Sequence, residues 1–298
     1  MIYEHPLAYV LGLEGIALMR AYAGEHDRAF IERRLAEIRT FLDGDSLSGA
    51  AVEVASVDTV EGYRIWAQTY DGPNASFDLD EPFIREIVDA LPVGDALDAA
   101  CGTGRIAAYL AGRGHRVRGL DSSPDMLERA RLRAPQAEFE LGDLSSLPMP
   151  DESVDLVVCS LALTHVPALG PTLAEFARVL RPGGHLVLAD IHPEGVALGV
   201  VPPVRLPDGR PGRVATYRHL VGDYLRAALA AGLRVRRCEE PLHPPGRPGE
   251  RSEVLQSWDV WPWALRDLAP EAAHAAIAGT PSMLLWHFQR EKASLPES

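Results

Sequence analysis

From about residue 83 onward, short apolar segments alternate with amphipathic ones, and this alternation limits the fold more than any other feature. The segments with strand character are 96–100, 115–121, 137–141, 154–160, 185–191, 233–240 and 281–289. Helices are predicted between them at 105–113, 124–134, 171–180 and 220–231. Strand, helix and strand in repetition predict an α/β fold, with helices on both faces of a mostly parallel sheet.

Two more helices are predicted before this region, at 5–24 and 26–44, each closed by a glycine. Their apolar stripes at helical spacing are Leu7, Leu11, Leu18 and Tyr22 in the first, and Ile31, Leu35, Ile38 and Leu42 in the second. We therefore predict an N-terminal helical extension over residues 1–60, which serves as a lid or in oligomerisation.

The rest of the chain, residues 61–298, is predicted to form the α/β domain. Two of its connections, 193–217 and 241–280, are longer than the usual loops of such a domain, and the first is rich in Pro and Gly. Long irregular connections in α/β domains are usually functional or lid-like. We treat both segments as insertions.

Charge and composition exclude several classes of protein. A net charge of −13 over 298 residues argues against binding a nucleic-acid backbone, because few basic groups would replace the counterions. The apolar segments are too short to cross a membrane, and the first residues lack a signal-peptide pattern. Three scattered cysteines favour neither disulfides nor a metal site. We therefore expect a cytoplasmic protein with no nucleic-acid or membrane partner.

A glycine-rich loop follows the first predicted strand in the stretch "LDAACGTGR", residues 97–105. Gly102, Gly104 and Ala107 fit the G-x-G-x-x-A pattern of dinucleotide-binding proteins, and Asp121 ends the second strand where it could bind a ribose. Taken alone, this pattern fits an NAD-dependent dehydrogenase as well as any other nucleotide-binding protein.

Three further features change the balance. Asp98 lies just before the glycines, Asp143 follows the third strand, and a Pro-Gly-Gly turn at 182–184 precedes the fifth. Together with the closing strand, these residues resemble the class I S-adenosylmethionine-dependent methyltransferases, in particular the ubiquinone- and menaquinone-type and actinobacterial natural-product enzymes. The resemblance implies a Rossmann-like seven-stranded sheet, mostly parallel with an antiparallel last strand.

The resemblance also implies S-adenosylmethionine as the cofactor and a set of residues that bind it. Asp98 to Gly104 would form the loop beneath the methionine part, with Ala100 where the family usually has a glycine. Asp121 would accept both ribose hydroxyls, and Asp143 would accept from the adenine amino group. The remaining candidates are Gly102, Ser122, Met126, Leu144, Cys159 and Ser160.

Histidines are the candidate bases, since a general base is needed only when the methyl acceptor loses a proton. His165 follows the fourth strand and His192 the fifth, on the edge of the sheet where ligands bind in open α/β folds. Each also fits a helix-capping or core role, and His219 fits a capping or surface role. No pair of them has the spacing of a metal site.

Aromatic residues suggest where the cofactor and the acceptor lie. The segment 62–72 resembles the aromatic lid of small-molecule methyltransferases, so Tyr70 is expected to cover the cofactor sulfonium and Tyr63 and Trp66 to border the acceptor. An ordinary core role for these aromatic residues is the alternative. Trp258 and Trp261 would form an apolar wall for a flat or prenylated acceptor, or else anchor the second insertion.

The sequence therefore predicts methyl transfer to a small apolar or aromatic metabolite in natural-product biosynthesis, at oxygen or carbon before nitrogen. A homodimer or larger homo-oligomer through the N-terminal helices is expected. The alternatives are a protein that binds a nucleotide or a partner without turnover and, more distantly, the dehydrogenase.

Overall fold

The computed structural model describes residues 2–72 and 76–292, and contacts divide these residues into two compact units. The first unit comprises residues 2–57, 199–214 and 242–280, and the second comprises the remainder. Most of the two segments that we expected to be insertions in the α/β domain therefore group with the N-terminal segment. The predicted division at residue 60 differs from this grouping because the first unit is assembled from three separate parts of the chain.

The strands of the described residues are β1 (Ile2–Glu4), β2 (Val52–Val57), β3 (Asp95–Ala99), β4 (Arg116–Asp121), β5 (Glu138–Leu141), β6 (Val154–Ser160), β7 (Leu180–Ile191), β8 (Pro203–Arg205), β9 (Pro211–Val214), β10 (Leu233–Glu239) and β11 (Met283–Arg290). The α-helices are α1 (Pro6–Tyr22), α2 (Arg28–Asp43), α3 (Thr59–Trp66), α4 (Phe77–Asp89), α5 (Arg105–Gly112), α6 (Pro124–Arg133), α7 (Leu169–Val179), α8 (Pro193–Ala197), α9 (Val221–Ala230) and α10 (Pro270–Ile277).

The second unit contains a seven-stranded sheet, within the described residues, in the order β10-β11-β7-β6-β3-β4-β5. The pairs among β3, β4, β5, β6 and β7 are parallel, and β11 is antiparallel to both β7 and β10. The predicted Rossmann-like fold with an antiparallel last strand is confirmed.

Strand β7 begins earlier than the sequence suggested. Leu180 already pairs with Val154 of β6, and the pairing resumes at His185 opposite Leu156 after an irregularity. The Pro-Gly-Gly stretch at 182–184 therefore lies inside β7 as an interruption of its pairing, whereas we predicted it as a turn before the strand. Gly183 takes a φ of 85°, which glycine adopts without steric cost.

Helices cover both faces of this sheet, which explains the continuous apolar runs of its strands. In β6, Val157 and Cys159 belong to a core formed with α7 and α9, while Leu156 and Val158 belong to a second core formed with α4 and α5. Alternate side chains of a strand point to opposite faces, so both faces of the central strands must be apolar.

The first unit combines a four-stranded sheet, β1-β2-β9-β8, with a helical core. The buried face of α1 is Val10, Leu13, Ala17 and Ala21, and these residues share one core with the alanines of α10 and with Trp258 and Trp261. The predicted stripes were wrong at three positions, because Tyr22, Leu35 and Leu42 are exposed. α1 is apolar on more than one side, and the face with small residues is the one that packs against α10.

A buried ion cluster joins three helices of this unit. Arg34 on α2 bonds Glu14 on α1 at 3.2 Å, Glu37 at 2.5 Å and Glu271 on α10 at 3.0 Å. Glu14 is fully buried, and its Oε2 has no hydrogen-bond partner among the described residues. Burial raises the pKa of Glu14, because desolvation outweighs the attraction of Arg34.

We expect the stability conferred by Glu14 to fall as pH rises. The raised pKa means that the folded state keeps a proton which the unfolded state releases above its ordinary value near 4.5. Glu14→Gln mimics the protonated carboxyl, so its free energy of unfolding relative to the native protein should increase from pH 5 to pH 9. The gain should reach at least about 1.4 kcal/mol, the equivalent of one pKa unit.

Urea unfolding of both proteins at each pH measures this difference. A constant difference across the range would contradict the buried, protonated Glu14.

Gly104 determines how closely α5 approaches α6. It takes a φ of 80° immediately before α5, and a Cβ built on it would lie 2.9 Å from the Cα of Ala130. Gly112, the last residue of the same helix, has open space around the corresponding position. A side chain is therefore sterically excluded at Gly104 and has room at Gly112.

We expect Gly104→Ala to destabilise the protein by about 1–3 kcal/mol, because it adds a positive-φ penalty to a backbone clash. Gly112→Ala is the matched control and should be neutral or stabilise by up to about 1 kcal/mol, since helical glycine is costly. Chemical denaturation measures both values. Equal effects of the two substitutions would show that close packing at Gly104 is not required.

Candidate active site

The second unit contains a cavity of about 460 Å³, within the range of small-molecule binding sites. It lies where β3, β4, β5 and β6 end, the edge at which open α/β sheets bind ligands. The residues that line it are Thr59, Val60, Tyr63, Tyr70, Ala100, Gly102, Leu120, Asp121, Ser122, Gly142, Asp143, Leu144, Ser145, Ser160, Leu161, Ala162, His165, Val166, Pro167, Ala168, Pro171 and Thr172.

Ten of the residues predicted from sequence line this cavity: Tyr63, Tyr70, Ala100, Gly102, Asp121, Ser122, Asp143, Leu144, Ser160 and His165. They come from separate segments between residues 63 and 165, and the parallel sheet brings them together. Their roles in binding and catalysis stay predictions.

Strained backbone borders the cavity at the ends of two adjacent strands. Ala100, after β3, has a φ of 56°, and Leu161, after β6, has a φ of 57°. Such angles cost a side chain with a Cβ roughly 1–2 kcal/mol. Position 100, where the family usually has a glycine, therefore keeps a left-handed backbone although alanine occupies it.

The Asp121 carboxylate connects two loops. Its Oδ2 accepts from the Gly102 N–H and its Oδ1 from the Ser123 N–H, both at 2.8 Å. Burial raises the pKa of Asp121, and the backbone donors oppose this. Each carboxylate oxygen can accept more than one hydrogen bond, so Asp121 keeps capacity toward the cavity that it lines.

Asp143 shapes the loop after β5. Its Oδ1 accepts from the backbone N–H of Ser145 at 2.7 Å and from the Ser145 hydroxyl at 2.6 Å. The Ser145 hydroxyl and then its N–H lower the pKa of Asp143, so this group is a charged acceptor beside the cavity at neutral pH. It combines the turn-forming role with the position predicted for an adenine contact.

Eight predicted residues are not among the described residues that line the cavity: Asp98, Gly104, Met126, Cys159, Trp66, His192, Trp258 and Trp261. Buried Asp98 accepts from the Ala107 N–H at 2.7 Å, and burial raises its pKa to about 7. Gly104 packs against Ala130 of α6, Met126 is buried on the same helix, and Cys159 lies in the core. Asp98 therefore stabilises the glycine loop indirectly, through its hydrogen bond to the first turn of α5.

The predicted aromatic segment is a cluster. Tyr63 lies 5.4 Å from Trp66 and 5.8 Å from Tyr70, measured between ring centroids. A Cβ on Gly102 would lie 3.9 Å from the Tyr70 ring, so this ring borders the glycine loop. Desolvation raises the pKa of Tyr70 to about 12, and both tyrosines keep their hydroxyl protons at neutral pH.

Sequence reasoning missed the contacts that hold this segment. Thr103 in the glycine loop donates to Asp71 at 2.6 Å, and Arg133 pairs with Asp71 at 2.7 Å. The result is a direct link between the segment that carries Tyr70 and the loop beneath it.

A second missed contact is the ion pair between fully buried Asp80 and Arg105, at 2.5 Å, to which the Ser160 hydroxyl also donates. The acidic stretch 78–81 and the arginine after the glycine loop were visible in the sequence. Their separation by 25 residues hid the pairing.

His165 lies in a short 3-10 turn, Leu163–His165, that follows β6. Its Nε2 lies 3.0 Å from the Tyr63 hydroxyl, and its Nδ1 lies 2.7 Å from the carbonyl oxygen of Ala215. The structure thus joins two of the predicted candidates, one from the aromatic segment and one from the loop after β6.

The other histidine candidate has a structural role. His192 is buried and caps α8, with Nδ1 accepting from the Glu194 N–H at 3.2 Å and Nε2 lying 2.9 Å from Glu240. It is not among the described residues that line the cavity. The geometry therefore favours the helix-capping role predicted for His192 over the role of a base. His219 bonds the carbonyl of Val166 at 2.7 Å.

Trp258 and Trp261 lie in the core of the first unit. Trp258 donates to Glu4 at 2.9 Å and Trp261 to the Gln256 carbonyl at 3.1 Å, so both indoles are anchored inside that unit. This is the anchoring alternative of the two roles considered for them.

Among residues 2–72 and 76–292, no group of three or more His, Cys, Asp or Glu side chains could hold a metal ion. Over the same residues, no helix has both the length and the apolar character to cross a membrane.

Comparison with known proteins agrees with this geometry. Residues 97–188 match the methyltransferase domain family. A malonyl-[acyl-carrier protein] O-methyltransferase from Serratia marcescens is 33% identical over 141 residues, which cover 45% of this chain and 55% of the relative. A demethylmenaquinone methyltransferase from Beutenbergia cavernae is 39% identical over 129 residues, which cover 42% and 54%. The chain thus spans about half the length of these curated relatives.

Among solved structures, a chain from the complex between the Haloferax volcanii Trm112 methyltransferase activator and a methyltransferase has the same fold. Its TM-score is 0.56 at 23% identity, and the alignment covers 78% of this chain and 98% of that one. Together, the sheet order, the cavity at its edge and the family match show that residues 97–188 belong to the methyltransferase domain family.

Proposed function

We propose that this protein transfers the methyl group of S-adenosylmethionine to oxygen or carbon of a small apolar or aromatic metabolite. The observation that carries the proposal is one cavity lined both by the acidic residues at the ends of β4 and β5, Asp121 and Asp143, and by the Tyr63–His165 pair. Methyl transfer from a sulfonium depends mainly on positioning, and a single cavity for donor and acceptor supplies it.

The residues present fit the cofactor. The backbone of Gly102, at a φ of 52°, borders the cavity, and a Cβ built on it would lie 3.9 Å from the Tyr70 ring. In our proposal Asp121 binds the ribose hydroxyls, Asp143 accepts from the adenine amino group and the Leu144 N–H donates beside it. Tyr70 covers the positively charged sulfur, where an aromatic face attracts a cation.

The lining beyond these residues is mostly apolar, with Val60, Leu161, Ala162, Val166 and Pro167 among its members. An apolar wall favours an apolar acceptor, because burying such surface against it is favourable by about 25 cal/mol per Å². The relatives named above are a demethylmenaquinone methyltransferase and a malonyl-[acyl-carrier protein] O-methyltransferase. Natural-product biosynthesis, a cytoplasmic location and homo-oligomerisation stay predictions, and light scattering of the full chain tests the last.

We expect S-adenosylhomocysteine to bind and Asp121 to be required. Replacing Asp121 with Ala removes two bonds to a charged acceptor, each worth about 1.5–3 kcal/mol, and should weaken binding at least about 100-fold. Asp121→Asn keeps an acceptor oxygen and should lose less. Titration calorimetry measures the affinities.

Glu128→Gln, on the exposed side of α6, is the control for a lost negative charge and should bind normally. Thermal melts of each variant check folding, since Asp121 also bonds two backbone N–H groups. Binding of NAD with no binding of S-adenosylhomocysteine would overturn the proposal.

We expect methylation of one of two probe acceptors incubated with S-adenosylmethionine. Naphthohydroquinone offers a flat apolar ring with hydroxyl and carbon positions, and a malonyl thioester offers a carboxylate. Mass spectrometry should detect the mass of one added methylene on the hydroquinone in preference to the thioester. Tight cofactor binding without methylation of either probe would instead favour the role of binding without turnover.

A further inference from the structure

The hydrogen bonds of His165 fix where its proton lies. The carbonyl oxygen of Ala215, 2.7 Å from Nδ1, can only accept a hydrogen bond. Nδ1 must therefore carry a hydrogen. In the neutral imidazole, Nε2 is then an acceptor, and the group 3.0 Å away that can donate to it is the Tyr63 hydroxyl.

Hydrogen bonds anchor the turn that carries His165 to β7. Asp190, buried near the end of β7, accepts from the Thr164 N–H at 2.8 Å and from the Thr164 hydroxyl at 3.1 Å. The carbonyl of Thr164 in turn accepts from the Tyr217 N–H at 2.6 Å. These bonds connect the turn to β7 and to the segment that supplies the Ala215 carbonyl, so the imidazole has a fixed orientation.

We propose that Tyr63 and His165 act together as a proton relay, in which the Tyr63 hydroxyl takes a proton from the acceptor while passing its own to Nε2 of His165. This inference rests on the proposed methyl transfer and specifies its substrate class. The acceptor must carry a proton that leaves during the reaction, as a phenolic or enolic hydroxyl does.

The step balances without a further reagent. The acceptor O–H bond breaks as its proton moves to Tyr63 Oη, and the original Tyr63 proton moves to His165 Nε2. The acceptor oxygen forms a bond to the methyl carbon, while the carbon–sulfur bond breaks and its electron pair stays on sulfur. The positive charge of the sulfonium is thereby replaced by that of the imidazolium, which later releases its proton to water.

The geometry favours this relay over direct proton removal by His165. Both ring nitrogens already have hydrogen-bond partners, so an acceptor reaches the imidazole only by displacing Tyr63. The Tyr63 hydroxyl can donate to Nε2 and accept from a ligand at the same time. Desolvation holds the pKa of Tyr63 well above its ordinary value, so this hydroxyl stays protonated until a proton is passed to it.

The first test needs neither cofactor nor acceptor. Protein labelled with ¹⁵N-histidine, with His165 assigned by comparison with His165→Gln, should show that the neutral imidazole carries its hydrogen on Nδ1 and none on Nε2. Tyr63→Phe should move the Nε2 resonance, and Tyr109→Phe, which removes an exposed hydroxyl bonded to Asp89, should not. A proton on Nε2 and none on Nδ1 would overturn the relay.

The second test separates the relay from cofactor binding. Tyr63→Phe and His165→Gln should each change the affinity for S-adenosylhomocysteine by less than about tenfold. Both should lower methylation of naphthohydroquinone by roughly 100-fold or more, the usual contribution of general acid–base catalysis. Tyr109→Phe should retain full turnover.

Binding of S-adenosylhomocysteine distinguishes failure of this inference from failure of the proposed function. Full turnover of the hydroquinone by Tyr63→Phe, or loss of S-adenosylhomocysteine affinity in both variants, would overturn the relay alone. If the native protein does not bind S-adenosylhomocysteine, the proposed function fails, whatever the tautomer of His165.

Discussion

The site depends on the bridge that the Asp121 carboxylate makes between Gly102 and Ser123. Strands β3 and β4 are adjacent and parallel, so the loops that follow them emerge side by side at one edge of the sheet. The two backbone N–H groups that Asp121 accepts at 2.8 Å fix the spacing of these loops. A buried carboxylate is stable only when it is hydrogen-bonded, and the glycine loop provides the donor that Asp121 requires.

The segment before β3 closes the other side of the cavity by a different set of contacts. Polar bonds tie it to the glycine loop at Asp71 and Thr103, and a buried ion pair joins Asp80 to Arg105. Tyr63 and Tyr70 lie on this segment, so its attachment places one tyrosine beside Gly102 and the other against His165. Loss of these contacts would therefore affect both the cofactor and the acceptor parts of the proposed site.

The seven-stranded sheet was predictable because its strands are buried on both faces, as β6 illustrates. A strand with Leu156 and Val158 in one core and Val157 and Cys159 in the other has a continuous apolar run that is visible in sequence. The first unit was not predictable in the same way. Its strands are three to six residues long, and β2 pairs with β9 more than 150 residues later, so local periodicity does not reveal them.

The sequence by itself determined the chain order of the seven strands in the larger sheet and of four helices between them, the glycine loop, and the acidic residues that end or follow β4 and β5. Each of these depends on local spacing and on the burial of neighbouring residues. Only the tertiary structure decided which histidine faces the cavity, because His165 and His192 both follow strands at the same edge of the sheet. The carbonyl of Ala215 and the hydroxyl of Tyr63 orient the first, while the second caps α8. These partners come from distant parts of the chain, and only folding brings them together.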